Sequence, residues 1–148
     1  MKPKTLPMVE LLAVYSAIKS LATLLKSYSN IYFESVCVLV DAQVVLSWLL
    51  TENIKANCLF PKKRLKDIQE MRKQLHKEFA MDIKFKYVPS EDNPADLLTR
   101  GITLGKFQQK LNYWTYGPNW LAEVEKWPTS SLDCLSPENK CHVDNVFL

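Results

Sequence analysis

The sequence has few of the residues that mark a disordered, secreted or membrane protein. Only three glycines and eight prolines occur in 148 residues, which argues against a low-complexity or disordered chain. Its four cysteines form no CxxC pair, and no secretory signal precedes them. Every apolar stretch is interrupted by a polar or charged residue well before about 20 positions. These absences predict reduced cysteines, an intracellular protein (cytoplasmic or nuclear) and no membrane span.

The composition is that of one folded domain with a mild basic bias. Hydrophobic residues make up 47% and charged residues 24%, and a chain of this length can bury a sizeable core. The formal net charge of +3 permits a polyanionic partner without requiring one.

The hydrophobic pattern alternates between helical and strand periods. Helical spacing runs through LPMVELLAVYSAIKSLATLLKSY, QVVLSWLLTE and residues 61–79. Residues 36–40 are predicted to form a buried strand and Ile83–Tyr87 a strand with one polar face, and a short helix follows from about Pro94 to Gly101. The order helix–strand–helix–helix–strand–helix predicts an α/β fold with a parallel pair of strands.

The same periodicity predicts which side of each helix is buried. The expected apolar positions are Val9, Leu12, Ala13, Ser16, Ala17, Leu21, Leu24 and Leu25 in the first helix, Val44, Val45, Trp48 and Leu49 in the second, and Leu65, Ile68, Met71, Leu75 and Phe79 in the third.

Three acidic residues stand where secondary structure would bring them together. Glu10 lies in the first helix, Asp41 directly follows the first strand, and Asp96 lies one turn into the short helix after the second strand. The carboxyl ends of parallel strands converge on the crevice where open α/β sheets bind ligands. Clustered carboxylates suit hard divalent cations, and two such ions can cleave a phosphodiester. The alternative is structural, because acids favour helix starts and cap helices.

Several strings in the chain resemble one known family. LPMVELLA, VLVDAQVVLSWL, YVPSEDNPADLLTRG, LNYWTYGPNWL and KWP are similar to the RNase H-like region of BEL/Pao-type LTR-retrotransposon polyproteins. The resemblance runs from about Leu6 to Pro128. It implies an RNase H-like fold that binds two divalent ions, Mg²⁺ or Mn²⁺, and hydrolyses RNA in an RNA–DNA hybrid. It also implies reverse transcriptase and integrase portions of a parent polyprotein as possible partners.

Carried over residue by residue, the resemblance implies a set of functional positions. Glu10 matches the helix glutamate, Asp41 the aspartate that ends a strand, and Asp96 the last aspartate, so these three are the expected catalytic and metal-binding residues. Ala42 stands where a serine is usual. Asn93 is a candidate substrate-binding residue beside them.

The sequence departs from this family at its start. Only six residues, MKPKTL, precede the first helical turn, whereas the family pattern begins with three antiparallel strands of about five residues each. We therefore expect a truncated sheet that keeps the parallel strand pair, lacks that meander and its aspartate, and exposes an apolar edge on VCVLV. Little or no hydrolysis is expected from such a chain. The alternatives are a binding or scaffold module for nucleic acid or protein, and a non-functional retroelement remnant.

Two further segments have expected roles. The basic helix PKKRLKDIQEMRKQLHK could lie along a nucleic-acid backbone, with Lys62, Lys63 and Arg64 as substrate-binding residues, or it could be a solvated face. The expected organisation is a partial RNase H-like domain over residues 6–101, a Trp-rich extension packed on it over 102–128, and a loosely ordered tail over 129–148.

Overall fold

The computed structural model describes residues 6–28, 30–33, 35–51, 59–99 and 101–128. Cys58, Cys134, Cys141 and the whole predicted tail lie outside these residues. The elements in chain order are α1 Leu6–Ser27, β1 Val36–Val40, α2 Gln43–Thr51, α3 Leu59–Phe79, β2 Ile83–Tyr87, α4 Asp96–Thr99, α5 Leu104–Gln109 and α6 Leu111–Tyr116. The mixed α/β character and both strands are as the periodicity predicted.

The two strands form a parallel pair, as predicted. Val36 pairs with Ile83 and Val40 with Tyr87, and the Val88 N–H donates to the Val40 carbonyl just beyond the ladder. Within the described ranges β1 has no second neighbouring strand, so one edge of VCVLV is without a ladder. A strand edge of this kind offers backbone groups to another chain.

The direction of the helices follows from two contacts between α1 and α3. The Arg64 guanidinium lies 4.8 Å from the ring centre of Tyr15, and Lys26 Nζ lies 3.6 Å from Glu78 Oε1. The two helices therefore run in the same direction. His76 contacts Asp82 and Arg72 lies against Phe85, so α3 runs antiparallel to β2, and the amino ends of α1 and α3 lie toward the end of the sheet where both strands finish.

The core forms between the helices and the strand pair. Its fully buried side chains include Leu11, Ile18, Val45, Leu46 and Ile68. The predicted stripe of α3 is confirmed: Leu65, Ile68 and Leu75 are buried, and Met71 and Phe79 are half-buried against them.

The predicted buried faces of α1 and α2 were partly wrong. In α1 the buried residues are Leu11, Val14, Ile18 and Leu25, whereas Val9, Ala13, Ser16, Ala17 and Leu24 are exposed. In α2 Leu46 and Leu50 are buried and Val44 is exposed. Both helices are apolar on most sides, so several stripes fit a 3.6-residue period, and contact with α3 and the sheet selects one of them.

The segment after β2 is more broken than the sequence indicated. A single 3₁₀ turn, Ser90–Asp92, follows Pro89, and α4 begins only at Asp96. The string LGKFQQKLNYW forms two short helices that divide at Lys110, whose N–H donates to the Phe107 carbonyl three residues back. This tightened turn ends α5 before α6 begins.

Helix α1 also satisfies a length and composition test for a membrane span. Its 22 residues are long and apolar enough to cross a bilayer, a test that core helices of soluble proteins also pass. Leu11 and Ile18 are nevertheless fully buried in the protein core. The absence of a membrane span therefore remains a prediction, and replacing Ile18 tests whether α1 is a core helix.

One residue adopts a backbone conformation that its side chain disfavours. Ala80 follows the last residue of α3 with φ of +51°, and its N–H donates to the His76 carbonyl. A left-handed alanine costs about 1–2 kcal/mol, and glycine avoids that cost. Ala80→Gly is therefore expected to raise the free energy of unfolding by about 0.5–1 kcal/mol in urea denaturation. A loss of stability would contradict this conformation.

Candidate carboxylate site at the ends of the strands

Asp41 links the ends of the two parallel strands. It is half-buried directly after β1, and its Oδ2 accepts hydrogen bonds from Ser90 Oγ and Asn93 Nδ2, each at 3.3 Å. Both donors belong to the segment that follows β2. Because the strands are parallel and in register, their carboxyl ends place this segment beside Asp41.

Asn93 has a second contact, which shapes the start of the next helix. Its Oδ1 accepts a hydrogen bond from the Ala95 N–H at 3.1 Å, a local turn that asparagine favours. The Asp96 N–H then donates to the Asn93 carbonyl at 3.2 Å. Asp96 is thus held in the first turn of α4, close in sequence and in space to the residue that binds Asp41.

Asp96 itself has a buried carboxylate oxygen. Its Oδ2 is out of contact with solvent, although the residue as a whole is half-buried. Its place in the first turn of α4 also agrees with the helix-dipole alternative. The geometry is compatible with both roles.

Glu10 lies at the same end of the molecule. It is half-buried in the first turns of α1, and the parallel arrangement of α1 and α3 puts these turns at the end where the strands finish. All three candidate carboxylates therefore share one end of the fold. Their role in catalysis or metal binding remains a prediction.

The three acids do not form a closed metal site. Among the residues that the structure describes, no three His, Cys, Asp or Glu side chains are grouped closely enough to hold a metal ion. The oxygen ligands are of the type that Mg²⁺ and Mn²⁺ prefer. The three carboxylates are thus ligands of the kind that the implied cation prefers. They do not lie close enough together to form a complete binding site for it.

The candidate substrate-binding residues of α3 divide into two kinds. Lys62 and Lys63 are exposed in the first turns of α3, at the same end as Asp41. Arg64 is half-buried, with its Nη1 3.0 Å from Asp67 Oδ2 and its guanidinium over Tyr15. Arg64 therefore joins α3 to α1, whereas the two lysines face solvent.

The Trp-rich extension contacts the candidate site through Tyr113. The Tyr113 hydroxyl donates to the Glu91 carbonyl at 3.4 Å. Glu91 belongs to the 3₁₀ turn beside Asp41. Burial, together with the nearby charge of Asp92, raises the pKa of the Tyr113 hydroxyl above its usual value of 10.0. The sequence analysis did not identify Tyr113 or Ser90, because both reach the site through tertiary contacts between distant segments.

A second contact joins this extension to the sheet. Lys86 Nζ lies 5.6 Å from the ring centre of Trp127, and the Trp127 indole donates to the Leu121 carbonyl at 3.0 Å. Trp120 packs edge-on against Trp127 with ring centres 6.4 Å apart. The aromatic side chains thus take part in packing within the extension and against β2.

Two surface concavities lie at the other end of the sheet. One, of about 300 Å³, is bordered by Leu25, Asn30, Phe79 and Met81. The other, of about 380 Å³, lies between α3 and the start of β2; most of its lining residues carry polar groups, although most of the lining surface itself is apolar. Neither includes the candidate carboxylates.

The chain was compared with protein-family models, curated proteins and solved structures. No protein-family model matches the chain, no curated protein matches it, and no solved structure matches it.

Proposed function

We propose that the chain is an RNase H-like domain of the BEL/Pao retroelement type, which binds an RNA–DNA hybrid at the end of the sheet where Asp41 lies. The observation that carries this proposal is the junction of Asp41 with Ser90 and Asn93. These hydrogen bonds connect the ends of the two parallel strands through the Asp41 carboxylate. Asp96 lies three residues after Asn93. Such strand ends are where α/β sheets bind ligands.

Divalent cations are the expected link between these carboxylates and a phosphodiester. Mg²⁺ or Mn²⁺ would offset the repulsion between Asp41 and a phosphate. Because the described acids form no group of three, we expect weak cation binding and little or no hydrolysis. The reverse transcriptase and integrase portions of a parent polyprotein are the proposed protein partners.

Lys62 and Lys63 supply the positive charge next to this surface. Both are exposed at the amino end of α3, which the contacts between α1 and α3 place at the same end as Asp41. Exposed lysines neutralise phosphates and release counterions, which favours binding of any duplex.

Hybrid binding with and without cations tests the proposal. For the wild type, fluorescence anisotropy with a labelled RNA–DNA hybrid is expected to show tighter binding in Mg²⁺ than in EDTA. Asp41→Asn removes the charge that the cation offsets, so it is expected to bind more tightly than the wild type in EDTA and to gain little from Mg²⁺. Glu125→Gln, which removes one charge from an exposed position in the extension, is the matched control.

One outcome would contradict the proposal, and another would change only the expected rate of hydrolysis. If Mg²⁺ has the same effect on the wild type and on Asp41→Asn, Asp41 does not mediate cation-dependent binding. Rapid hybrid cleavage by the wild type that is lost in Asp41→Asn would overturn the expectation of weak hydrolysis while supporting the site.

A second candidate function is a binding module that needs no cation. It is favoured by the apolar strand VCVLV, which has a ladder on only one edge among the described residues. Another chain could add a strand there, while the basic face of α3 binds nucleic acid. Hybrid binding that depends on salt but is unchanged by EDTA would favour this function over the first.

A further inference from the structure

The concavity between α3 and β2 has three basic side chains among its lining residues. It lies at the end of the sheet where β2 begins, away from Asp41. Its volume is about 380 Å³, and its lining residues are Gln69, Arg72, Lys73, His76, Asp82 and Ile83. The four helical members follow the spacing i, i+3, i+4 and i+7, so they share one face of α3.

Arg72 is held in place by the fold. Its Nη2 donates to the Ile83 carbonyl at 3.2 Å, and its guanidinium lies 5.1 Å from the ring centre of Phe85. A guanidinium has five N–H donors, of which this carbonyl accounts for one. An arginine fixed in this way binds an oxyanion with less loss of side-chain entropy than a mobile lysine.

The concavity contains one acidic group, Asp82. Its Oδ1 lies 2.9 Å from His76 Nδ1, so the carboxylate faces the imidazole. Arg72 and Lys73 remain as the permanent positive charges of the lining, against the single negative charge of Asp82.

The basic residues continue from this concavity toward the carboxylate end. Helix α3 carries seven Lys or Arg residues against three acids. Lys66 and Lys73 are two turns apart on one face, and both are exposed. Lys66 Nζ lies 3.8 Å from Glu70 Oε1, an exposed ion pair weak enough for a phosphate to replace. From Lys62 to Lys73 the helix rises about 16 Å, close to the axial rise of roughly five phosphates on one strand.

We propose that this concavity, hereafter the α3–β2 groove, binds a backbone phosphate of a nucleic-acid duplex that lies along α3. Arg72 and Lys73 contact the phosphate, and Lys66 contacts another one nearer the carboxylate end. The groove would hold the duplex at a point remote from Asp41. This inference rests on the proposed function, because it assigns a second contact to the same nucleic acid.

The salt dependence of hybrid binding tests the groove. The double variant Lys66→Gln/Lys73→Gln changes only exposed side chains and leaves Arg72 packed on Phe85. Each lost phosphate contact reduces the slope of log K against log salt by about 0.9, so the variant's slope is expected to be about 1.8 less steep in anisotropy titrations from about 50 to 200 mM KCl. Affinity at about 100 mM KCl is expected to fall tenfold or more.

Two controls separate the groove from general charge effects. Lys106→Gln/Lys110→Gln removes the same charge from exposed positions around α5 and is expected to change the slope much less. Asp82→Asn removes the groove's carboxylate and is expected to tighten binding severalfold. This effect is opposite to the weaker binding expected of Lys66→Gln/Lys73→Gln.

Each outcome distinguishes this inference from the proposed function. If the wild type does not bind the hybrid, both fail. If the wild type binds but Lys66→Gln/Lys73→Gln keeps the wild-type slope, the assignment of the groove as a phosphate site is wrong and the proposed function stands. The same conclusion follows if Lys106→Gln/Lys110→Gln reduces the slope by as much as Lys66→Gln/Lys73→Gln does. Circular dichroism confirms that the variants fold, and Lys73→Gln alone repeats the test if the double variant does not.

Discussion

Replacing Ile18 with alanine is expected to lower the free energy of unfolding by about 2–5 kcal/mol. Ile18 is fully buried at the centre of α1, so the shorter side chain leaves a cavity in the core. The free energy of unfolding of a domain is about 5–15 kcal/mol, so this one substitution is expected to remove a large part of it. Urea denaturation followed by circular dichroism measures the loss.

Leu24→Ala is the matched control for this substitution. Leu24 lies in the same helix but is 54% exposed, so its truncation is expected to cost less than about 1 kcal/mol. A large loss of stability in Ile18→Ala with a small loss in Leu24→Ala would identify α1 as a core helix. Equal, small effects at both positions, together with partition of the wild type into lipid vesicles, would show that α1 serves as a membrane segment instead.

The second large effect is expected from Asn93→Asp. The new carboxylate keeps an oxygen for the Ala95 N–H but loses the N–H donor to Asp41 and places two like charges side by side. Loss of a hydrogen bond to a charged group costs about 1.5–3 kcal/mol, and the repulsion adds to it. In EDTA the variant is therefore expected to unfold at clearly lower urea concentration than the wild type.

Divalent cations are expected to reverse this loss. If the introduced carboxylate shares a cation with Asp41 and Asp96, millimolar Mg²⁺ stabilises the variant more than the wild type, because binding to the folded state alone raises stability. Asn93→Ala is the control, since it also loses the hydrogen bond to Asp41, and in addition the one from the Ala95 N–H, without adding a charge. Equal responses of all three proteins to Mg²⁺ would argue against a cation at this position.

Much of the fold could be predicted because its strands are short, apolar and separated by strongly periodic helices. Val36–Val40 and Ile83–Tyr87 were identified from β-branched residues and alternation, and two helices between parallel strands leave few arrangements. The buried face of α1 could not be predicted in the same way. A helix that is apolar on most sides fits several stripes, and only its packing against α3 selects Leu11, Val14, Ile18 and Leu25.

The candidate site was predictable in position and less so in composition. Asp41 was predicted from its place directly after β1 and Asn93 from the family resemblance, and the structure joins them by a hydrogen bond. Ser90 and Tyr113 depend on contacts between segments 49 and 22 residues apart, to Asp41 and Glu91 respectively, for which the sequence contains no local pattern. Arg64 contacts Tyr15 and Asp67, which its charge alone does not reveal, and its expected role in substrate binding stays a prediction.

The proposed function requires that Glu10, Asp41 and Asp96 share one cation-binding surface where the two parallel strands end, with Asn93 hydrogen-bonded to Asp41 beside it. Mn²⁺ added to isotopically labelled protein tests this directly, because the ion broadens the NMR signals of nearby amides even when it binds weakly. The strongest broadening is expected at the amides of Asp41, Asn93 and Asp96, followed by Glu10, and is expected to disappear in Asp41→Asn. Broadening centred on another acidic surface, such as Glu123 and Glu125, or spread evenly over the chain would contradict the account.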